Sequence, residues 1–318
     1  MTVVRDEDLG VLSVRPAVRR GDSLRPSADQ KRPSVLNFRV VVNLDAGGLS
    51  RRKLLDLTEL LRASFAVKPR AIQYVDRHSL TDALQDVAHS RPDAVLVCGG
   101  DGTARTAIEA LTPLGVPVVP LPGGTLNRLV HAVYGSCQIK RIMAGLSHGA
   151  PAWIPAGVAA GRRFYVVSGY GAPMQLNAVR EHVRAGRWPQ AWRALSAASK
   201  GMFAPTLEVG ASKEHKASCA IVALGPIDAA FGLKPLGARS AFEVASATVT
   251  GWGSALQLAP FALLGGWRER PNVNVGSAMH LRLQGDHAGI VALMDGEPFV
   301  LPSQIDITYE PRAGLVWR

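Results

Sequence analysis

The chain has 318 residues, of which 47% are hydrophobic and 19% are charged. This balance is globular, and the length is sufficient for two domains or one large one. The formal net charge of +11 favours phosphorylated ligands, nucleic acid or an anionic membrane surface as partners. Cys98, Cys137 and Cys219 are far apart and odd in number, which argues against a disulfide framework or a zinc site and suits a reducing cytosol.

Residues 1–36 are predicted to be a flexible basic tail, because Arg, Asp, Ser and Pro mix there without periodicity. The first residues carry charges and no apolar core, so we expect no signal peptide. A second stretch, Val244–Trp267, has no charged residue, yet its glycines and proline argue against a spanning helix. We predict instead a strand over Phe242–Thr250 and a short apolar helix over Ala255–Leu264.

Strands and helices are predicted to alternate four times in the first half of the ordered chain. Such alternation is typical of a parallel sheet covered by helices on both faces, and it defines an α/β domain over 37–150. The predicted strands are Asn37–Leu44, Ala71–Val75, Asp93–Cys98 and Val116–Leu121. The predicted helices cover 50–64, 79–88, 104–111 and 127–133.

Three glycine-rich turns follow strands of this predicted sheet, at 43–48, 99–103 and 122–127. Ligands of open parallel sheets bind beyond the carboxyl ends of the strands, so the three turns predict a nucleotide cleft. In the second turn, GGDGT, glycines allow main-chain N–H groups to approach a phosphate, and Thr103 is predicted to cap the next helix. The spacing matches neither the Rossmann nor the Walker motif, and packing alone is the other interpretation of such a turn.

From about residue 150 short apolar runs separated by Gly and Pro predict a mainly antiparallel β-sandwich over 151–318. The predicted strands are Phe164–Ser168, Thr206–Val209, Ala217–Leu224, Phe242–Thr250, His280–Gln284, Gly289–Met294 and Gln304–Tyr309. A helical insert over 177–202 combines arginines with Trp188 and Trp192. Two interpretations are open: an interface with an anionic bilayer, or a surface helix whose tryptophans dock on the core.

Four segments in this order resemble the lipid kinase family of diacylglycerol kinases and sphingosine kinases, especially its soluble bacterial members. GGDGT at Gly99–Thr103 is similar to the family's nucleotide signature, and PGGTLN at Pro122–Asn127 to its Pro-x-Gly-Thr-x-Asn turn. NLDAGG at Asn43–Gly48 resembles the first-strand turn, with Leu44 and Ala46 in place of Pro and Ser. Asp295-Gly296-Glu297 resembles the Asp-Gly-Glu segment near the C-terminus. The resemblance covers about residues 37–312.

The resemblance implies an ATP- and Mg²⁺-dependent kinase with a phosphofructokinase-like nucleotide domain and a sandwich domain that receives a lipid such as diacylglycerol. Glu297 would accept the proton of the lipid hydroxyl, and Asp295 would support it or Mg²⁺. Asp101 is expected to bind Mg²⁺ and take part in catalysis, with capping of a turn as its other interpretation. The residues expected to bind ATP are Asn43, Gly99, Gly100, Asp101, Gly102, Thr103, Gly124, Thr125 and Asn127.

Two departures from the family pattern bear on activity. Arg128 stands where the family often has Asp after the Asn of the third turn, which favours an impaired member that binds nucleotide or lipid without turnover. Residues 235–240 lack the acidic side chains that bind a structural cation in many bacterial members, so we expect that second cation site to be absent. His131, His148, His280 and His287 have no ligand-like spacing and are expected to be ordinary surface or core residues.

The partners we expect are therefore ATP and a lipid substrate at an anionic membrane surface, with the protein cytoplasmic and peripheral at the inner membrane, in lipid metabolism or phospholipid biosynthesis. A kinase of a soluble substrate, related to NAD kinase, is a further alternative. The apolar, tryptophan-bearing character of 177–202 and 244–267 argues against it. Nucleic acid is not an expected partner, because no recognition helix or aromatic RNA-binding motif is evident. The oligomeric state cannot be read from the sequence.

Overall fold

The computed structural model describes residues 37–63, 72–176, 179, 182–183, 186–199, 206–210, 214–227, 241–249, 251 and 267–318. The predicted tail, the predicted helix at Ala255–Leu264 and residues 235–240 lie outside this part of the chain. The predicted fold class is confirmed, because a mostly parallel α/β sheet is followed by antiparallel sheet structure. The domain boundary near residue 150 stays a prediction.

The strands are short, apolar and mostly buried, and we number them in chain order. They are β1 (Phe38–Asn43), β2 (Ile72–Val75), β3 (Ala94–Gly99), β4 (Val118–Pro122), β5 (Pro151–Ala159), β6 (Arg162–Phe164), β7 (Val167–Tyr170), β8 (Leu207–Gly210), β9 (Glu214–Ala217), β10 (Cys219–Ala223), β11 (Phe242–Ala247), β12 (Val273–Ala278), β13 (His280–Gln284), β14 (Ile290–Met294), β15 (Glu297–Leu301) and β16 (Gln304–Trp317).

The first sheet runs in the order β2-β1-β3-β4-β16-β13-β8-β9, with β5 paired to β16 and β6 paired to β5. Strands β2, β1, β3 and β4 are parallel, as the alternation of elements predicts. The long strand β16 lies parallel to β4 at Val316 and antiparallel to β5 and β13. The C-terminus of the chain therefore joins the parallel and antiparallel parts of this sheet.

The second sheet is antiparallel throughout, in the order β12-β11-β10-β7-β14-β15. Its inner face packs on the antiparallel part of the first sheet through one apolar cluster, in which Tyr170 and Phe242 of the second sheet meet Leu281, Leu283 and Ile307 of the first. Alternating buried and exposed residues in β13 and in the first half of β16 place one face of each strand in this core.

The α-helices whose two ends are both described are numbered in chain order. They are α1 (Arg51–Ala63), α2 (Leu80–His89), α3 (Asp101–Leu111), α4 (Arg128–Tyr134), α5 (Ile139–Gly145) and α6 (Trp188–Ser199). Each of α2 and α3 buries an apolar stripe, with Leu84 and Ile108 fully inaccessible on one face of the parallel sheet. Leu61 of α1 and Ile142 of α5 are buried on the opposite face, so both faces are covered.

The differences from the predicted elements have local causes. Strand β5 contains two prolines and small residues, so its pattern does not read as a strand. Strand β12 is largely exposed and lacks an apolar alternation, and α5 is only seven residues long. In the described residues no helix has the length and apolar character needed to cross a membrane.

Candidate active site

The three glycine-rich turns touch one another through their backbones. The Gly48 N–H donates to the Gly123 carbonyl at 3.1 Å, and the Gly123 N–H donates to the Gly99 carbonyl at 2.8 Å. A Cβ added at Gly124 would lie 2.5 Å from the Cα of Gly100, and one at Gly48 would overlap the Gly124 carbonyl. The turns therefore meet this closely only because side chains are missing.

Two side chains tie the first turn to the second. The Asn43 side-chain N–H donates to the Thr103 hydroxyl at 2.9 Å, and the Asn43 side-chain oxygen Oδ1 accepts the Asp45 N–H at 3.0 Å. Asn43 and Thr103 are both buried. The prediction that Thr103 caps the helix is wrong, because α3 begins at Asp101 with Gly100 as its extended N-cap. The Thr103 hydroxyl is directed at Asn43 instead.

Asp101 links the second turn to the third. Its Oδ1 accepts the Leu129 N–H at 2.8 Å in the first turn of α4. Burial raises the pKa of the Asp101 carboxyl, and hydrogen bonds from the Leu129 and Arg128 amides and the charge of Arg128 oppose that rise. The capping role that the sequence left open is thus present, and Arg128 places positive charge beside this carboxylate.

Asn127 shapes the third turn from within. It lies at a φ of +50°, in the left-handed region, where Asn is tolerated better than most residues. Its side chain exchanges two hydrogen bonds with the backbone of Gly124, at 2.8 and 2.9 Å. Thr125 is exposed at the tip of the turn. Asn127 therefore organises the backbone, while Thr125 is presented outward.

A cleft of about 890 Å³ opens beside the turns, between α1 and the start of α5. Leu57 and Leu60 of α1 and Ile139 of α5 contribute apolar walls, and Gly123 and Gly124 of the third turn lie along one side. The volume is within the usual range for small-molecule sites.

Glu297 lies against the second turn although it comes from near the other end of the chain. It is the first residue of β15, after the two-residue Asp295–Gly296 turn from β14. A Cβ added at Gly102 would overlap the Glu297 Oε1 atom. The other carboxylate oxygen forms an ion pair with Arg105 of α3. The Glu297 carboxylate is therefore held at the first turn of α3.

Asp295 braces the hairpin that carries Glu297. Its two carboxylate oxygens accept the N–H groups of Tyr165, Val166 and Val167 at 2.6, 3.0 and 3.0 Å. Both Asp295 and Gly296 have positive φ, as a tight hairpin turn requires. Burial raises the pKa of Asp295 to about 6, against the opposing effect of these three hydrogen bonds. The carboxyl is fully enclosed by its own fold.

The sequence reasoning missed Arg105. Its only sequence signal is a basic residue three positions after Gly102 in an amphipathic helix. It also missed the backbone contacts of Gly48 and Gly123, which need two turns to be seen together. Among the described residues, no group of three or more His, Cys, Asp or Glu side chains is placed to hold a metal ion by itself.

Comparisons with known proteins agree with this geometry. Residues 37–154 match the diacylglycerol kinase catalytic domain family. A solved structure of a Bacillus anthracis str. Sterne protein assigned as a diacylglycerol kinase superposes with a TM-score of 0.63 at 17% identity, covering 89% of this chain and 97% of that one. A diacylglycerol kinase from the same organism gives a TM-score of 0.59 at 16% identity, with the same coverage. No curated protein matches the chain.

At these identities the structural likeness establishes the fold, an α/β domain joined to antiparallel sheets. The family match covers residues 37–154 and spans all three glycine-rich turns. The resemblance drawn from the motifs is therefore confirmed over this part of the chain, which is similar to the diacylglycerol kinase catalytic domain.

Gly124→Ala should separate the third turn from the second, because the added methyl group would meet the Cα of Gly100. We expect weaker ATP binding by about tenfold, measured by titration calorimetry, and a lower midpoint of thermal unfolding. Gly47→Ala is the matched control, since a Cβ there meets nothing within 4 Å. Equal behaviour of the two variants would show that the close approach of the turns does not matter for binding.

Asp295→Asn should lower the free energy of unfolding by about 2 kcal/mol, because an amide replaces one oxygen acceptor facing backbone N–H groups. Asp286→Asn is the control, since exposed Asp286 accepts a single backbone N–H, from Ala288. Denaturant titration followed by circular dichroism measures both.

The same variant tests the pKa of Asp295. Because that pKa is raised from 3.8 to about 6 in the folded protein, the group stabilises the fold fully below about pH 4 and loses this contribution as the pH rises through 6. The stability difference between wild type and Asp295→Asn should therefore widen as the pH falls from 7 to 4. A difference that narrows would contradict the raised pKa.

Proposed function

We propose that the protein is an ATP- and Mg²⁺-dependent lipid kinase that phosphorylates the hydroxyl of a membrane lipid such as diacylglycerol. The observation that carries this proposal is the position of the Glu297 carboxylate against Gly102, at the first turn of α3. Phosphoryl transfer depends on fixed phosphates and on a carboxylate near the attacking oxygen, and the glycine-rich turns and Glu297 would supply these two features.

The ATP phosphates would bind to the backbone of the second and third turns. The N–H groups of Gly100 and Gly102 lie in the second turn, and the dipole of α3 favours negative charge at its N-terminus. Gly124 would contribute by its close approach to Gly100, because its own N–H already donates to the Asn127 side chain. Exposed Thr125 would donate its hydroxyl to a phosphate. Asn43 and Asn127 act through the turns they hold in shape, and the 890 Å³ cleft offers apolar walls for the adenine.

Asp101 is the residue that fits Mg²⁺. A single carboxylate is sufficient, because Mg²⁺ in kinases is bound by one or two carboxylates together with substrate phosphates. Bound there, the ion would spread the charge of the phosphates. Asp101 would keep its bond to the Leu129 N–H and orient its other oxygen toward the metal. This places the metal ligand beside the phosphate turns.

Glu297 would be the general base. Its carboxylate would accept the proton of the lipid hydroxyl, while the Arg105 ion pair and the Asp295 brace fix its position. In this proposal Asp295 supports the base and does not bind metal, because both of its oxygens already accept backbone N–H groups.

Glu297→Gln should reduce kcat for phosphorylation of diacylglycerol in mixed vesicles by 10²-fold or more, because the amide cannot accept the proton. The KM for ATP should change little. The assay follows transfer of label from ATP to lipid. Glu208→Gln is the control, since exposed Glu208 of β8 pairs with Lys216 of the edge strand β9. Full activity of Glu297→Gln would remove the proposed base.

The exposed tryptophans of α6 support a membrane-surface substrate. Trp188 and Trp192 are 65% and 73% exposed, so the interpretation that they dock on the core is wrong. The helix packs inward through buried Ala191 instead. Arg187 and Arg193 flank the pair. Tryptophan beside arginine suits the interface of an anionic bilayer, where the ring lies among the head groups.

Replacing both Trp188 and Trp192 by Ala should reduce co-sedimentation with vesicles containing anionic phospholipid by about tenfold or more, because each indole contributes apolar area to the interface. Trp153→Ala, which removes a half-exposed tryptophan from β5, is the control. Undiminished binding by the double variant would contradict docking through α6. A wild-type protein that stays in the supernatant would favour the soluble-substrate alternative.

A second candidate function is nucleotide or lipid binding without turnover. It is favoured by Arg128, whose charge acts on Asp101 and competes with a metal ion for that carboxylate. Wild-type protein that binds ATP but transfers no label to a broad lipid panel would establish this candidate.

A further inference from the structure

A small polar cavity lies beside the proposed base and is not used by the proposed chemistry. It has a volume of about 260 Å³, room for roughly eight or nine waters at about 30 Å³ each. Its walls come from α3, from the turn between β5 and β6, and from β15. The lining residues are Arg105, Glu109, Gly161, Arg162, Arg163 and Phe299.

The cavity lies on the side of Glu297 away from the glycine-rich turns. Along α3, Gly102 touches Glu297, Arg105 pairs with it, and Glu109 lies about 10 Å beyond Gly102 at 1.5 Å per residue. Along the helix, the glycine-rich turns therefore come first, then the proposed base Glu297, and then the cavity. A group bound there is placed on the side from which an acceptor, rather than the nucleotide, would reach the base.

The lining is rich in guanidinium groups. Arg162 lies over the Phe299 ring at 4.7 Å. Its charge acts on the Glu109 carboxyl of the same lining, but it forms no ion pair with a carboxylate in the described part of the chain. Arg163 donates two hydrogen bonds to Glu310, at 2.8 and 3.2 Å, in a pair that is 41% and 35% exposed. Exposed ion pairs contribute little to stability, so Arg163 can exchange Glu310 for another anion.

A buried hydroxyl lies near these charged groups but does not line the cavity. Tyr165 is 2% exposed, and its hydroxyl has no hydrogen-bond partner among the described residues. Burial raises the pKa of Tyr165, and the charges of Glu109, Arg163 and Glu310 act on the same phenol. Buried polar groups nearly always have a partner, so a buried water would complete the hydrogen bonding of this phenol.

We propose that this cavity binds a phosphate group of the acceptor, so that the substrate is a lipid alcohol that already carries a phosphate. The inference rests on the proposed kinase function. Arginine matches phosphate through its planar fork of donors, and Arg162 and Arg163 reach the cavity together from one hairpin. Arg105 lines the cavity and pairs with Glu297, so its positive charge would stand between this phosphate and the carboxylate of the base.

The transfer step needs no reactant besides ATP and the acceptor. The acceptor hydroxyl oxygen forms a bond to the γ-phosphorus of ATP, the bond from that phosphorus to the β,γ-bridging oxygen breaks, and ADP leaves. The hydroxyl proton goes to Glu297. The phosphate already on the acceptor stays intact and only orients the molecule.

The test compares two acceptors in vesicles of constant surface charge, set by a fixed fraction of phosphatidylserine. One acceptor is diacylglycerol, and the other is phosphatidylglycerol, whose head group carries both a phosphate and free hydroxyls. The variants are Arg162→Gln, Arg162→Lys and the control Arg282→Gln, which removes an exposed arginine on β13 that does not line the cavity.

We expect Arg162→Gln to raise the KM for phosphatidylglycerol about tenfold, to leave the KM for diacylglycerol and for ATP unchanged, and to be partly rescued by Arg162→Lys. An increase in the KM for ATP with both acceptors would assign the cavity to the nucleotide and overturn the inference. Equal KM values for phosphatidylglycerol in wild type, Arg162→Gln and Arg282→Gln would also overturn it.

A binding measurement separates this inference from the proposed function. Calorimetric titration with soluble glycerophosphoglycerol, in the presence of ADP and Mg²⁺, should show binding that Arg162→Gln weakens about tenfold. Such binding without transfer to any lipid would refute the kinase function and leave the phosphate site standing. Transfer to diacylglycerol without binding of glycerophosphoglycerol would support the kinase function and refute the phosphate site. Inorganic phosphate binding as tightly as the head group would assign the cavity to a free anion and overturn the acceptor assignment.

Discussion

The site depends on a steric constraint, the close approach of backbones where side chains are missing. Gly48 approaches Gly124, Gly124 approaches Gly100, and Gly102 leaves room for the Glu297 carboxylate. Each contact joins segments that are far apart in the sequence, and each would be blocked by a single methyl group. The parallel sheet brings the turns to one edge, but the missing Cβ atoms let them touch. The glycine-rich turns and the Glu297 carboxylate are therefore held in place by the same closely packed backbone.

The second requirement is that the C-terminal part of the chain returns to the first half. Strand β16 pairs with β4 and β5, so the antiparallel strands continue the sheet that carries the turns. The β14–β15 hairpin then reaches α3, where Arg105 meets Glu297 across 192 residues of sequence. Asp295 holds the turn of this hairpin through three backbone N–H groups. These long-range contacts fix the carboxylate that the proposed phosphoryl transfer would use.

Much of this could be predicted from the sequence, because it depends on local signals. The alternation of apolar strands with amphipathic helices predicts the parallel sheet, and the glycine-rich turns predict its functional edge. Strand β5 could not be predicted, because its partner β16 and not its own pattern makes it a strand. The capping role predicted for Thr103 is wrong because its hydroxyl instead accepts a hydrogen bond from Asn43, which is distant in the sequence. Arg105 and the cavity near Arg162 depend on tertiary contacts with no local signature.

Charge compensation acts on both carboxylates that the proposed activity would use. Asp101 accepts the Leu129 N–H and feels the positive charge of Arg128, and Glu297 is paired with Arg105. In the proposed function, bound nucleotide lies between Asp101 and Glu297. The most direct measurement is a crystal structure with Mg²⁺ and a non-hydrolysable ATP analogue. The account predicts phosphates on the amides of Gly99–Thr103, with the γ-phosphorus within about one water of the Glu297 carboxylate. A nucleotide bound elsewhere, with Glu297 facing solvent alone, would contradict it.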